Sequence, residues 1–187
     1  MLRRESPAFG PFSEADAITL DASGFNNALT VNTGAGNDLI TLGSGGSVVD
    51  AQGGDNVITV GAANDGSHDD HITTLGGDDH IIVSDAQLSQ FLSVAAGAGI
   101  DIVEVNSDAL VLDADLAGLV AVEKLRLSAD AVDNAQSVTL GAAAHSAGIT
   151  TVDGTAAGAD DALTIDSTAF SGALTVNTGA GNDIINL

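Results

Sequence analysis

The sequence predicts an all-β chain wound as a right-handed parallel β-solenoid of about nine coils, 18–23 residues to the coil. Three observations predict it. The first is an internal duplication. Ala28-Leu-Thr-Val-Asn-Thr-Gly-Ala-Gly-Asn-Asp-Leu-Ile-Thr-Leu42 returns almost unchanged as Ala173-Leu-Thr-Val-Asn-Thr-Gly-Ala-Gly-Asn-Asp-Ile-Ile-Asn-Leu187, 145 residues on. A repeat of this kind constrains the fold before any local reading does. The second is alternation of apolar and polar residues in runs too short for helices. The third is spacing. Asp16, Asp38, Asn56, Asp79 and Asp101 follow one another at steps of 22, 18, 23 and 22 residues. Two strands of about 5–6 residues plus two turns need about that length, so these residues stack in one column, one per coil.

Residues 1–15 hold both prolines, Phe9 and Phe12, and no periodicity, and read as a lead-in or as an N-terminal cap over the first coil. Residues 16–104 are coils with acidic, glycine-rich turns. Ile18 and Leu20 point inward with Thr19 and Asp21 outward; Leu29, Val31, Ile40 and Leu42 continue the inward set. A nine-residue phase runs through Thr33–Thr41, Leu42–Asp50, Ala51–Thr59, Asp65–Thr73, Thr74–Ile82 and Ala96–Glu104, with an insertion at Val60–Asn64. The opposite edge of the solenoid carries Ser47 and Asp70. Residues 105–154 lack the acidic turn, and the 60 residues from Asp101 to Asp161 leave room for three coils of 20. Strands are expected at Val122–Leu127, Gln136–Leu140 and Ile149–Val152, with single helical turns at Asp115–Ala121 and Gly141–Ala147. Residues 155–187 resume the acidic turns at Asp161 and Asp183. A chain that stops after a repeat strand is expected to be a truncated piece or to stack on a neighbour.

Formal net charge is -22, and Arg3, Arg4, Lys124 and Arg126 are the only Lys and Arg. Such a chain repels nucleic acid and anionic membrane surfaces, and its natural partners are cations. Apolar residues reach 44%, so a core can form once the carboxylates are neutralised. Of 26 acidic residues only Glu5, Glu14, Glu104 and Glu123 are Glu; the rest are Asp, whose short carboxylate suits tight turns. With no Cys, disulfides and thiolate metal sites are excluded. No run approaches the ~20 apolar residues of a membrane-spanning helix, and the N-terminus has no apolar signal segment.

Calcium takes several carboxylate and carbonyl oxygens at flexible geometry. Glycines let a turn aim carbonyls inward, and the Asp at the sixth position of each nonamer supplies charge. These nonamers resemble the G-G-x-G-x-D-x-U-x units of the repeats-in-toxin (RTX) proteins, which are calcium-binding parallel β-helix repeats. The Thr-Gly-Ala-Gly-Asn-Asp turns are closest in style to bacterial surface-layer proteins and large secreted adhesins. The resemblance implies a calcium-binding β-roll. Its ligands would come from Gly34, Gly36, Asp38, Asn56, Asp70, Gly77, Asp79, Gly97, Gly99, Asp101, Asp161, Gly179, Gly181 and Asp183. Asn56 and Ser47 are neutral, so their turns are expected to be incomplete. The function implied is an extracellular structural or adhesive module that folds on calcium, exported without a cleaved signal peptide. Partners would be calcium ions, further copies joined end to end or in a layer, or cell-surface polysaccharide.

Two other classes are weighed. The segment could belong to a secreted enzyme or toxin whose catalytic part lies elsewhere. It could also act on polysaccharide through Lys124 and Arg126, which share an outward face; the simpler reading is that they balance Glu104 and Glu123. No Ser sits in a G-x-S-x-G elbow or pairs with a His, so no catalytic role is expected of this chain. His71 and His80 are nine apart and fall on opposite faces; with His68 they read as outward and solvated, and His145 as structural.

Overall fold

The structure is a computed structural model that describes residues 15–61, 69–89, 92–107, 110–128, 135–158 and 162–187. The lead-in with Phe9 and Phe12, and Asp161, lie outside the described residues. Alternating β-branched and small polar residues build short strands, as their packing on a pleated surface favours. In chain order these are β1 (Thr19–Asp21), β2 (Leu29–Asn32), β3 (Leu39–Thr41), β4 (Ser47–Gly53), β5 (Val57–Thr59), β6 (His71–Gly76) and β7 (His80–Val83). A one-turn helix, α1 (Asp85–Leu88), precedes β8 (Ser93–Ala95), β9 (Ile102–Val105) and β10 (Leu110–Val111). A 3₁₀ helix (Asp113–Gly118) leads into β11 (Leu119–Val120), β12 (Lys124–Ser128) and β13 (Gln136–Thr139). After α2 (Ala142–Ala147) come β14 (Thr151–Ala156), β15 (Leu163–Asp166), β16 (Thr175–Asn177) and β17 (Ile184–Asn186).

Among the described residues every strand pairing is parallel, and the strands form three sheets. Sheet A runs β1-β3-β5-β7-β9-β12-β14-β16 along the whole molecule. Sheet B, β2-β4-β6-β8-β11, faces it in the first half; sheet C, β10-β13-β15-β17, does so in the second. The chain is therefore an all-β parallel solenoid of about seven turns, not nine. In sheet A the inward residues Leu20, Ile40, Ile58, Ile81, Val103, Leu125, Val152 and Val176 are in register, at steps of 20, 18, 23, 22, 22, 27 and 24 residues. Ile40, Ile58, Ile81, Val103, Leu125 and Val152 are all fully buried. Leu42, Val31, Leu127, Val138, Leu140 and Ile165 fill the same core from neighbouring positions.

The miscount arose in residues 105–154. Three 20-residue coils were expected there, but Val103 to Val152 covers two longer turns. Most of the extra length is in the 27-residue turn that holds α2; α2 and the 3₁₀ helix pack on one another and close the side where sheet B ends. The strands expected at 122–127, 136–140 and 149–152 correspond to β12, β13 and β14. The offset of the duplication is also not a whole number of turns. β1 and β3 of the first copy lie in sheet A, whereas their counterparts β15 and β17 lie in sheet C. Helix α1 was not foreseen, being too short for any periodicity. It is held by a capping box, in which Ser84 Oγ accepts from Gln87 N and Gln87 Oε1 from Ser84 N.

One carboxylate fastens the two helical pieces together. Asp113 opens the 3₁₀ helix, and its Oδ1 accepts from the backbone N–H of Gly141 at 2.7 Å and Ala144 at 2.9 Å. Its Oδ2 accepts from Ala143 N at 3.1 Å. Burial opposes its charge, but the Ala144, Ala143 and Gly141 amides outweigh that and hold the carboxyl below the usual range. Asp113 thus caps α2 from the preceding turn. Asp113→Ala is expected to cost about 2 kcal/mol, since it strips three donors of their acceptor at a helix start. Asp113→Asn, which keeps one oxygen, is expected to lose less. Urea unfolding of both variants checks this.

Candidate metal centre

The acidic column is real, and it is built by hydrogen bonds that run from coil to coil. A parallel sheet ends at each turn, leaving backbone N–H groups that need acceptors. Asp38 Oδ1 accepts from Ile18 N at 2.8 Å, Asn56 Oδ1 from Asp38 N at 3.0 Å, and Asp79 Oδ1 from Asn56 N at 2.9 Å. Asp101 Oδ1 accepts from Asp79 N at 2.8 Å, and Glu123 Oε2 from Asp101 N at 2.9 Å. Each side chain caps the turn of the coil before it. The register also corrects the ends of the column. Ile18, not Asp16, stands opposite Asp38, and the column closes on Glu123, which sequence spacing (22 residues past Asp101) could have revealed.

A second ladder, not foreseen, runs alongside in the opposite sense. Asn37 Oδ1 accepts from Asp55 N at 2.9 Å, Asp55 Oδ1 from Asp78 N at 2.9 Å, and Asp78 Oδ1 from Ile100 N at 2.8 Å. The signal was the recurring Asn-Asp, Asp-Asn and Asp-Asp pairs at coil spacing. Asp38, Asn56, Asp79 and Asp101 of the inner column are buried, Glu123 is half-buried, and the outer ladder is exposed.

Glycines let these turns come together. Gly36, Gly54, Gly77 and Gly99 stack two residues before the inner column, with Gly34 and Gly97 four residues before Asp38 and Asp101. A Cβ on Gly54 would lie 2.5 Å from the Gly36 carbonyl oxygen, and one on Gly77 would meet the Gly54 carbonyl. Gly77 also takes φ 110, where a side chain is strained. Gly54 belongs to this set, although only its neighbour Asn56 was singled out from the sequence.

The inner carboxylates are incompletely satisfied. Asp38, Asp79 and Asp101 are 2%, 1% and 0% exposed. The Oδ2 atom of each is buried and has no hydrogen-bond partner; the Thr74 hydroxyl beside the Asp79 carboxyl donates to Ala96 O. Burial pushes the Asp79 carboxyl above its ordinary value. It pushes Asp101 up to about 6, with the charges of Asp79, Glu123 and Asp78 adding to the effect. A buried carboxylate oxygen with no donor is costly, so these atoms call for a proton or a cation. At Asn56 the need is met internally. Its Nδ2 donates to Gly54 O at 2.9 Å and to Asp79 Oδ1 at 2.9 Å.

The remaining expected ligands fall elsewhere. Asp183 does not join the column: its Oδ1 accepts from Leu163 N at 2.9 Å ahead of β17, in sheet C. Gly179 and Gly181 precede it as Gly34 and Gly36 precede Asp38. Asp70 lies on the opposite edge, where its Oδ1 accepts from Ser47 N at 2.7 Å. That edge carries Leu29, Ser47 and Leu92 at the positions level with Asp70, so the inner carboxylates gather along one edge of the solenoid. Among the described residues no three His, Cys, Asp or Glu converge as a ready metal shell. A cation here would therefore draw on one or two carboxylates and on turn carbonyls. The donor set, all hard oxygen with orphaned acidic atoms at its centre, fits calcium and does not fit a soft or imidazole-seeking metal.

The basic residues and His80 make a separate cluster on the outer face of sheet A. Arg126 Nη1 lies 3.4 Å from Glu104 Oε2 and its Nε 4.0 Å from Asp153 Oδ2; Lys124 Nζ is 3.9 Å from the same Asp153 oxygen. Ser128 Oγ donates to Glu104 Oε1 at 2.7 Å, and His80 Nε2 lies 2.8 Å from Glu104 Oε2. Burial opposes the charge of Glu104, but Ser128, His80 and Arg126 outweigh it and hold the carboxyl below its usual range. So His80 is paired and not simply solvated, and Lys124 balances Asp153 instead of Glu123. His71 and His80 do lie in different sheets, B and A. His145, on α2, meets Phe170 edge to face at 5.7 Å, and His68 lies outside the described residues. Comparison with known proteins finds no matching family model, no matching characterised protein and no matching solved structure.

Proposed function

We propose that this chain is a calcium-dependent structural or adhesive module: a right-handed β-roll of the RTX type that works outside the cell, as part of a surface-layer or adhesin-like protein. The observation that carries the reading is the file of buried, partnerless Oδ2 atoms at Asp38, Asp79 and Asp101. Calcium, when bound, would supply the positive charge that these oxygens lack. The chain's own residues do the rest. Asp38, Asp79 and Asp101 hold the turns in line through Oδ1 and present Oδ2. The stacked glycines bring carbonyl oxygens of adjacent coils close. Asn56 interrupts the file with a neutral amide. Extracellular calcium modules bind with Kd of about 10⁻⁴–10⁻³ M, which suits a chain whose acidic coils are to stay loose in a low-calcium cytosol and to close after export. Under this reading its partners are calcium, further copies of the chain, and cell-surface polysaccharide.

The alternative of a chain that acts on polysaccharide through Lys124 and Arg126 is weakened, because both cations are engaged by Glu104 and Asp153. A place beside the catalytic part of a secreted enzyme or toxin is compatible with the same turns. Circular dichroism and thermal unfolding in excess chelator and in ~10 mM calcium test the reading. Each occupied site is expected to add about 1.4–2.7 kcal/mol at 10–100 times its Kd. Identical β-structure and identical Tm in both conditions would discard it.

A further inference from the structure

We infer that the stretch from β9 to β15 is a cation-independent nucleus on which the acidic coils of the N-terminal half are assembled. This deepens the calcium reading and rests on it. The chain divides along its axis by how its buried or half-buried carboxylates are balanced. Between Arg4 and Lys124 there is no Lys or Arg at all, and the partnerless Oδ2 atoms of Asp38, Asp79 and Asp101 lie in that interval. From β9 onward Glu104, Asp113 and Asp153 are balanced internally, while Glu123, the end of the acidic column, accepts the Asp101 amide.

Register places Glu104, Arg126 and Asp153 side by side on β9, β12 and β14. Charge therefore alternates across three successive strands, with Arg126 reaching both carboxylates and Lys124 and Ser128 adding to the same row. Asp113 is balanced by the three amides of α2. The side of this stretch is closed by α2 packed on the 3₁₀ helix, with Leu116, Ala144 and Ala147 buried between them, not by a carboxylate turn. Leu125, Leu127, Val138, Leu140 and Val152 are fully buried here. Three stacked strands of sheet A with three of sheet C meet the minimum of about three repeats that a solenoid needs to hold a core. The strand edge of β9 then offers β7 a preformed template, so cation entry extends an existing sheet and does not have to start one.

Amide hydrogen exchange, read by mass spectrometry on the full chain in excess chelator and in millimolar calcium, tests this. In chelator, β12, β13 and β14 are expected to exchange at least about 100-fold more slowly than a denatured reference, while β3, β5 and β7 exchange at least about tenfold faster than β12–β14. Calcium is expected to slow β3, β5 and β7 by at least tenfold (on the order of a local opening equilibrium) and to change β12–β14 little. Loss of protection everywhere in chelator, with recovery in calcium, would overturn the nucleus and leave the calcium reading standing. Equal protection everywhere in both conditions would overturn both.

Discussion

Asn56→Asp is expected to unfold the acidic coils of the calcium-free chain at neutral pH and to leave them folded in millimolar calcium. Asn56 is fully buried, in line with three carboxylates. Its amide donates to Gly54 O and to Asp79 Oδ1, both at 2.9 Å. The substitution removes both donors and sets a carboxylate oxygen against the Asp79 carboxylate and the Gly54 carbonyl. An uncompensated buried charge costs about 3–5 kcal/mol, a large share of the ~5–15 kcal/mol by which domains are stable. If the column holds cations, the variant gains a further acidic oxygen facing Asp38 and Asp79. Calcium should then bind in greater number and restore the fold. Calorimetric titration and chelator-versus-calcium unfolding measure this. Asn56→Ala, which removes the amide without adding charge, is expected to be destabilised to a similar extent in both conditions. If calcium raises the stability of wild type and Asn56→Asp by the same increment, the column is not a cation site.

How far the sequence foretold all this depends on what kind of signal each feature leaves. The inward residues Leu29, Val31, Ile40 and Leu42 were legible because a strand's period of two admits one face only. The column of Asp38, Asn56, Asp79 and Asp101 was legible because coil length is nearly constant there, 18–23 residues. Extrapolating that constancy across residues 105–154 failed. The turn that holds α2 lengthens to 27 residues, and the acidic turn at Asp183 falls in sheet C instead of sheet A. Nothing local announces such a shift, since the Thr-Gly-Ala-Gly-Asn-Asp turn at either copy looks alike. The cross-coil cap of Asp113 on α2 spans 28–31 residues, beyond any local pattern. Glu123 was hidden for another reason: its side chain is a methylene longer than the rest of the column, and it lacks the glycines that mark the other turns. The pairing of His80 with Glu104 lies two residues off the register of β7 and β9 and links residues 24 apart, so it waits on knowing which strands are neighbours.

Without calcium, stability is expected to rise as pH is lowered from about 7 to about 5, the reverse of ordinary acid unfolding. Burial raises Asp101 from an ordinary 3.8 to about 6 and raises Asp79 as well. A carboxyl whose folded value lies above its unfolded one takes up its proton first in the folded state. Its favourable contribution is complete below about 3.8 and is lost as pH climbs through about 6. Glu104, Asp113 and Asp153 act in the opposite direction. Against the opposing effect of burial, their hydrogen bonds and cationic neighbours hold them below their ordinary values. Their contribution is present above those values and fails as pH falls through the depressed ones, below about 4. The calcium-free chain should therefore be most stable between about pH 4 and 6. Relief of general repulsion in a chain of net charge -22 would also favour lower pH, and Asp101→Asn separates the two causes. The variant removes the titrating group but leaves the overall charge almost unchanged, so most of the rise should vanish if Asp101 is its source and persist if bulk repulsion is. Calcium competes with the same protons, and its stabilising increment should shrink across the same window. Thermal unfolding in chelator and in calcium, at steps from about pH 4 to 8, reads both effects. Wild-type stability that stays flat or declines between about pH 7 and 5 in chelator would show that the buried carboxyls of Asp79 and Asp101 are not held against their charge.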